Sequence, residues 1–343
     1  MDILKSRVTI RDVAAAATVS LGTVSRVVNG NRSVREPART RVLQVMERLG
    51  YVPDAVAQSL RTQSTRSVGC VVSDVSNPLF STTVSAAENA LSAAGYTMML
   101  TASHDSTERE VAILTLFGRR RLDGMIMTIS READERIGSA LHGFRGPVVL
   151  LERELPFAAD TVLTDHYEGT HQALEYLLAL GHRRIGLITV TEQAFPGRER
   201  GRAFREALRQ AGISEQDAPT AFHGFSAEYG YRMAHQFLAS PQRPTAILAG
   251  AGQMVGVIRA ARTLGLQLPA DLSLISFGDT DLAELHSPPL TVVRWDNART
   301  GRVAAELLLA RLSSGTGDSK QRIVLPSELI VRRSCKPPMP ATT

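Results

Sequence analysis

Apolar residues recur along this chain in two different periods, and the change falls near residue 66. Ahead of it the spacing is helical. Thr9 can cap a helix running from Ile10 to about Ala16, with Asp12 placed to answer the cap and with Ile10, Val13 and Ala14 on the buried side. After Ala17-Thr18-Val19, Ser20 can cap a second short helix in which Val24, Val27 and Val28 share the apolar face, leaving Leu21, Gly22, Ser25 and Arg26 exposed. The small residues from Ala14 to Ala17 permit close helix crossing, so the pair reads as a helix-turn-helix. Ser33 and Glu36 suggest another capping box, with Pro37 in the first turn of a helix through Val42, Val45, Met46 and Leu49 that Gly50 ends.

From Ser67 the pattern becomes apolar runs alternating with amphipathic helices. Strands are predicted at 68–72, 97–100, 124–127, 148–151, 185–189, 246–249 and 272–277, and Asn77-Pro78 opens a helix that ends near Ala94. Continuous apolar strands imply sheets covered on both faces, and the helical intervals imply parallel crossovers. The expected fold class is therefore an all-α headpiece followed by a doubly wound α/β core, with any ligand beyond the carboxyl ends of the strands.

Charge sharpens this division. The segment through Arg66 carries a net +6, whereas the rest of the 343 residues carries −1. A basic module on a near-neutral body suits a polyanion partner. No unbroken apolar core occurs near the N-terminus and no stretch approaches a membrane span, so a cytoplasmic protein is expected. Cys70 and Cys335 supply neither a disulfide framework nor a metal cluster, and no cofactor is expected.

The run from Thr9 to Ala14, then Val19-Ser20-Leu21-Gly22-Thr23-Val24-Ser25-Arg26-Val27-Val28-Asn29-Gly30, closely resembles the headpiece of the lactose/galactose repressor family. Tyr51-Val52-Pro53-Asp54-Ala55-Val56-Ala57-Gln58-Ser59-Leu60-Arg61 resembles its hinge, and the likeness continues in Asp165-His166-Tyr167-Glu168-Gly169, Leu180-Gly181-His182-Arg183-Arg184-Ile185 and Arg200-Gly201-Arg202-Ala203-Phe204. The resemblance implies a headpiece at 1–52, a hinge at 53–66, a core at 67–334 and a flexible tail at 335–343. The core would hold two subdomains resembling periplasmic sugar-binding proteins, 67–164 with 294–322 and 165–293 with 323–334. It also implies a homodimer on pseudo-palindromic operator DNA and a small-molecule effector in the interdomain cleft. Thr9, Ser20, Leu21, Gly22, Thr23, Ser25, Arg26 and Asn29 would then form the DNA-facing set, with Arg26 reading a base, while Ala57 and Leu60 of the hinge reach the minor groove and Leu60 acts as the wedge.

For the effector, the resemblance places Asp74, Asn77, Leu79, Phe80, Glu152 and Arg153 on one wall, and Arg198, Arg200 and Phe225 on the other. Two anchors of the family are missing: Ala251-Gly252 stands for Asn-Asp, and Phe277-Gly278-Asp279 for an aromatic-Asp-Asp run, leaving Asp279 one place displaced. With Arg198 and Arg200 in one loop and few acceptors opposite, an anionic sugar derivative or phosphorylated metabolite is expected over a neutral hexose. The expected activity is repression under effector control, the alternatives being activation or a regulator without effector response. An enzyme is a remote alternative, because His104, His166, His182, Glu152 and Asp165 join no nucleophile elbow, phosphate loop or metal-spaced cluster.

Overall fold

The computed structural model describes residues 8–31, 33–52, 64–155, 159–314 and 319–339. Two compact units are present, Met1–Thr65 and Arg66–Thr343.

The first unit holds three helices, α1 (Ile10–Ala17), α2 (Leu21–Val28) and α3 (Glu36–Leu49). The reciprocal cap forms as expected: the Thr9 N–H donates to Asp12 Oδ2 at 2.8 Å, and the Asp12 N–H to Thr9 Oγ1 at 3.4 Å. Val13, Ala17, Val24 and Val42 are fully buried and define a small shared core. The start of α3 departs from the sequence reading. Arg35, not Ser33, precedes the helix, and no side chain caps it. Asn31 is the competitor: its Oδ1 accepts the Ser33 N–H at 2.9 Å and closes a local turn instead. Gly50 ends the helix in the left-handed conformation, φ 62°. Ala57 and Leu60 lie outside the described residues.

The second unit is built on two six-stranded sheets. In the first lobe, β1 (Ser67–Val72), β2 (Thr97–Ala102), β3 (Gly124–Met127), β4 (Val148–Leu151), β5 (Asp160–Thr164) and β11 (Arg322–Leu325) run parallel in the order β11-β5-β4-β3-β1-β2. Helices α4 (Pro78–Ala93) and α12 (Asn297–Ser314) pack on one face, and α5 (Thr107–Arg119) and α6 (Glu135–Gly143) on the other. The second lobe repeats the plan. Its strands are β6 (Ile185–Thr189), β7 (Thr220–Phe222), β8 (Ala246–Gly250), β9 (Ser273–Phe277), β10 (Thr291–Arg294) and β12 (Glu328–Ile330), in the order β12-β10-β9-β8-β6-β7, with only β12 antiparallel to its neighbour. Helices α7 (His166–Ala179) and α8 (Phe195–Gln210) cover one face, and α9 (Ala227–Leu238) and α10 (Ala251–Thr263) the other. Short α11 (Asp281–Leu285) follows β9.

The chain passes between lobes at Asp165, at Trp295-Asp296 and at Pro326-Ser327. The last passage corrects the 322/323 boundary, because all four residues of β11 pair with β5 of the first lobe. Strand β5 itself is polar at its start, yet Asp160 is 1% exposed. Its carboxylate survives there by accepting two hydrogen bonds from Arg311, each 2.8 Å, and one from the Gln321 N–H.

The tail also differs from expectation. The Lys336 N–H donates to Ser273 Oγ at 3.1 Å, and its carbonyl oxygen lies 3.0 Å from His182 Nε2. His182 is buried, with Nδ1 2.8 Å from Thr245 Oγ1. Burial holds this imidazole below its ordinary value, against the pull of the Lys336 carbonyl. An unfolded histidine takes its proton near pH ~6.5, so this residue's contribution is present above that pH and is lost as pH falls toward the lower native value. Thermal melts of the wild type should therefore weaken as the pH falls below about 6.5. His182→Gln should show a shallower decline, and equal slopes would place the titration elsewhere.

Candidate functional site

In the first unit, α2 presents two faces. Val24 and Val27 are buried, while Ser20, Leu21, Gly22, Arg26 and Asn29 are exposed and Thr23 and Ser25 half-buried. Ser20 Oγ accepts the Thr23 N–H at 3.2 Å, which fixes the start of the helix beside these side chains. Leu21 is 47% exposed, an apolar group with no packing role in its own unit. Arg26 Nε donates to the Gly22 carbonyl at 3.1 Å, so Gly22 holds the arginine through its backbone. The Thr9 side chain is committed to the cap of α1, at 2.7 Å from Asp12 Oδ2.

In the second unit a cavity of about 620 Å³ opens between the lobes, at the carboxyl ends of their strands. The structure brings Asp74, Asn77, Leu79, Phe80, Glu152, Arg153, Arg200 and Phe225 of the predicted set to its wall. Asn77 caps α4 by accepting the Leu79 N–H at 3.1 Å, and Asp74 Oδ1 accepts from Ser76.

Arg200, one turn into α8, is 4% exposed. Its guanidinium donates to Thr189 Oγ1 at 3.0 Å and lies 3.3 Å from His166 Nδ1, with its Cζ 4.4 Å above the Phe277 ring. No carboxylate is ion-paired with it among the described residues, and its buried Nε has no partner. Burial pulls this group down to about 10, although the charge of Glu152 opposes the shift. His166 completes a chain across the cleft: Nε2 lies 2.8 Å from Glu152 Oε2 of the first lobe, and the ring meets Trp295 edge-on at 5.3 Å. Burial keeps His166 below the usual imidazole range. Because a guanidinium can only donate, Nδ1 accepts from Arg200 and Nε2 donates to Glu152.

Behind the first-lobe wall, Glu110 is fully buried, and its carboxylate accepts from the Ser130 N–H at 2.8 Å and Oγ at 3.0 Å. Burial pushes it up to about 7, against those bonds and nearby Arg153. Arg153 is itself spent on backbone, donating to the Ile129 and Glu152 carbonyls.

Two predicted residues lie outside this wall. Arg198 points to the rim, where NH1 meets Glu132 Oε2 at 2.7 Å and NH2 lies 3.7 Å from Glu154. Glu132 also takes the Phe195 N–H at 2.8 Å, so the start of α8 is already capped by an acid. The expected arginine pair is therefore a single arginine. Asp279 is held by Arg332 through two 2.8 Å bonds and does not replace the missing acid. The sequence reading missed His166, Trp295, Asp105, Arg131, Tyr229 and Arg232 as wall residues. His166 and Trp295 lie within two residues of the ends of β5 and β10, and Asp105 lies in the turn after β2, the positions the strand-end rule selects once those strands are known.

A helix-turn-helix unit with a polar helix face, followed by a two-lobed α/β unit with an interlobe cavity, defines a ligand-responsive DNA-binding regulator. The description "Bacterial regulatory proteins, lacI family" matches residues 9–54, and "Periplasmic binding protein-like domain" matches 174–335. The HTH-type transcriptional repressors PurR of Pectobacterium atrosepticum and Erwinia tasmaniensis are 35% and 36% identical over 330 residues, covering 95% of this chain and 96% of each relative. The lac repressor dimer bound to operator and the anti-inducer ONPF superposes with a TM-score of 0.85 at 27% identity, covering 96% of this chain and all of that one. The transcriptional regulator CelR in complex with cellobiose gives 0.71 at 29% identity, over 96% of this chain and all of that one. The chain belongs to the LacI family of bacterial transcription regulators. No described helix is long and apolar enough to cross a membrane.

Proposed function

We propose that the chain is a repressor that binds pseudo-palindromic operator DNA as a homodimer and is controlled by a small molecule carrying an acceptor group to Arg200. The observation that carries the effector reading is the buried Arg200 guanidinium on the cavity wall, with no carboxylate ion-paired to it among the described residues. A charge left in that state favours a ligand that completes it. Leu21, Ser25 and Arg26 supply the base-facing edge of α2, with Ser20, Thr23 and Asn29 flanking it. The lac repressor dimer on its operator supports the assembly. The exposed apolar residues Met99 and Leu100 on edge strand β2 of the first lobe and Leu282 and Leu285 on α11 of the second are candidates for contact with a second copy.

Mapping the bound sites across the genome and identifying the neighbouring genes supplies both operator and candidate metabolites. Fluorescence anisotropy on the mapped operator is then read with and without each metabolite. The expected result is a change in operator affinity for an acidic or carbonyl-bearing metabolite that disappears with Arg200→Met. A neutral hexose acting undiminished on that variant overturns the reading.

A further inference from the structure

Gly252 and Gly278 occupy positions where the family resemblance leads one to expect polar anchors, and the space beside each is already filled. A Cβ at Gly278 would stand 2.7 Å from Leu79 Cδ1 and 3.1 Å from Cδ2. The glycine's φ of +103° further disfavours an L side chain there. Leu79 belongs to the first lobe, at the start of α4, and Gly278 to the second, directly after β9. The leucine methyls of one lobe thus fill the notch that the missing side chain leaves on the other. At Gly252 a Cβ would fall 2.0 Å from the Phe225 carbonyl oxygen and 2.5 Å from its ring. The polar anchors have been replaced by two apolar groups, and both line the cavity.

We propose that Leu79, seated against Gly278, is the specificity-determining residue of this pocket, and that with Phe225 it selects an aromatic carboxylic acid over polyhydroxylated acids. This rests on the interlobe cavity being the effector site. A sugar acid whose carboxylate engages Arg200 still carries hydroxyls around its ring. Each one turned toward Leu79 and Phe225 loses water without gaining a partner, which costs about tenfold or more in affinity. An aromatic ring presents only carbon edges to the same surface and gains from burying them. Asp74 and Asp105, on the first-lobe side, remain able to accept from one ring hydroxyl.

Trp295 is the chain's single tryptophan and lines the cavity, so its emission reports occupancy in the full-length protein. Titrations with benzoate, 4-hydroxyphenylacetate, D-glucuronate and D-glucose, repeated by calorimetry, test the selection. The expected result is that an aromatic acid binds at least about tenfold more tightly than glucuronate. Leu79→Asn, which offers a polar partner, should reduce that preference severalfold. Leu79→Ala, checked by its melting profile, guards against a fold defect and should reduce it as well. Glucuronate binding as tightly as both aromatic acids, no binding of either aromatic acid, or an unchanged preference in the Leu79 variants overturns the proposal. Glucuronate that binds as tightly as the aromatic acids and depends on Arg200 leaves the effector site standing and removes only the selection by Leu79. Binding indifferent to Arg200→Met removes the site reading itself.

Discussion

Replacing Arg26 with alanine should lower affinity for the cognate operator by about 30-fold to 10⁴-fold and leave affinity for a scrambled duplex nearly unchanged. A bidentate arginine-guanine pair is worth about 1–3 kcal/mol of discrimination, and a dimer reading two half-sites loses it twice, or about 2–6 kcal/mol. Arg26 Nε is anchored to the Gly22 carbonyl at 3.1 Å, while a Cβ at Gly22 would come within 3.9 Å of Arg26 NH2. The guanidinium therefore lies along the bare glycine, held by one nitrogen, with its other two offered to a partner. Gly22 offers no side chain to a base, yet its carbonyl sets the pose of Arg26. Anisotropy with both duplexes at one salt concentration decides the matter. Equal losses on the two would assign Arg26 to the phosphate backbone.

The fold was legible in the sequence wherever a strand is apolar on both sides. Strands β3, β4 and β6 fall on the predicted residues, because central parallel strands cannot tolerate polar side chains without partners. Strand β5 was hidden because its buried Asp160 is matched by Arg311, some 150 residues away. Strands β7, β11 and β12 are short edges whose pairing is set by the lobes and not by their own pattern. The lost cap of α3 has a local cause, since Asn31 reaches the Ser33 N–H first. The docked tail has a distant one in His182 and Ser273.

The binding wall was legible in part for a related reason. The family resemblance identified Asp74, Glu152, Arg153 and Arg200, but charge state depends on neighbours that neither resemblance nor periodicity reveals. Arg198 and Arg200 are two positions apart in sequence and look equivalent there. Two positions along an α-helix turn a side chain by about 200°, placing the first beside Glu132 at the rim and the second among Phe277, Trp295 and His166. The absent anchors at Gly252 and Gly278 were visible. What fills their place was not, because Leu79 comes from the opposite lobe.

Arg200→Met should weaken the acidic effector at least about tenfold and at the same time raise the melting temperature of the ligand-free protein. The two signs together separate a binding arginine from a structural one. A structural arginine holds its neighbours through an ion pair, and its loss leaves a buried acid exposed to the full cost of desolvation. Here no acid is ion-paired with Arg200 among the described residues, and one buried N–H goes unsatisfied. Burial pulls its value from the ordinary 12.5 to about 10, so the charged form is penalised in the folded state. At neutral pH the side chain is charged in both folded and unfolded chains, and that penalty, on the order of 3 kcal/mol, is fully in force. Methionine keeps most of the volume between Phe277 and Trp295, removes the charge and leaves only Thr189 and His166 without a donor. Relief of the charge exceeds the cost of the two unpaired acceptors where each lies at the low end, about 1 kcal/mol, of the ~1–3 kcal/mol that a buried acceptor can cost. With effector present the order reverses, because ligand binding stabilises the wild type by mass action and does little for the variant. Melting curves of both proteins with and without ligand provide the measurement. A variant less stable than the wild type in the absence of ligand would show that Arg200 holds the lobe together.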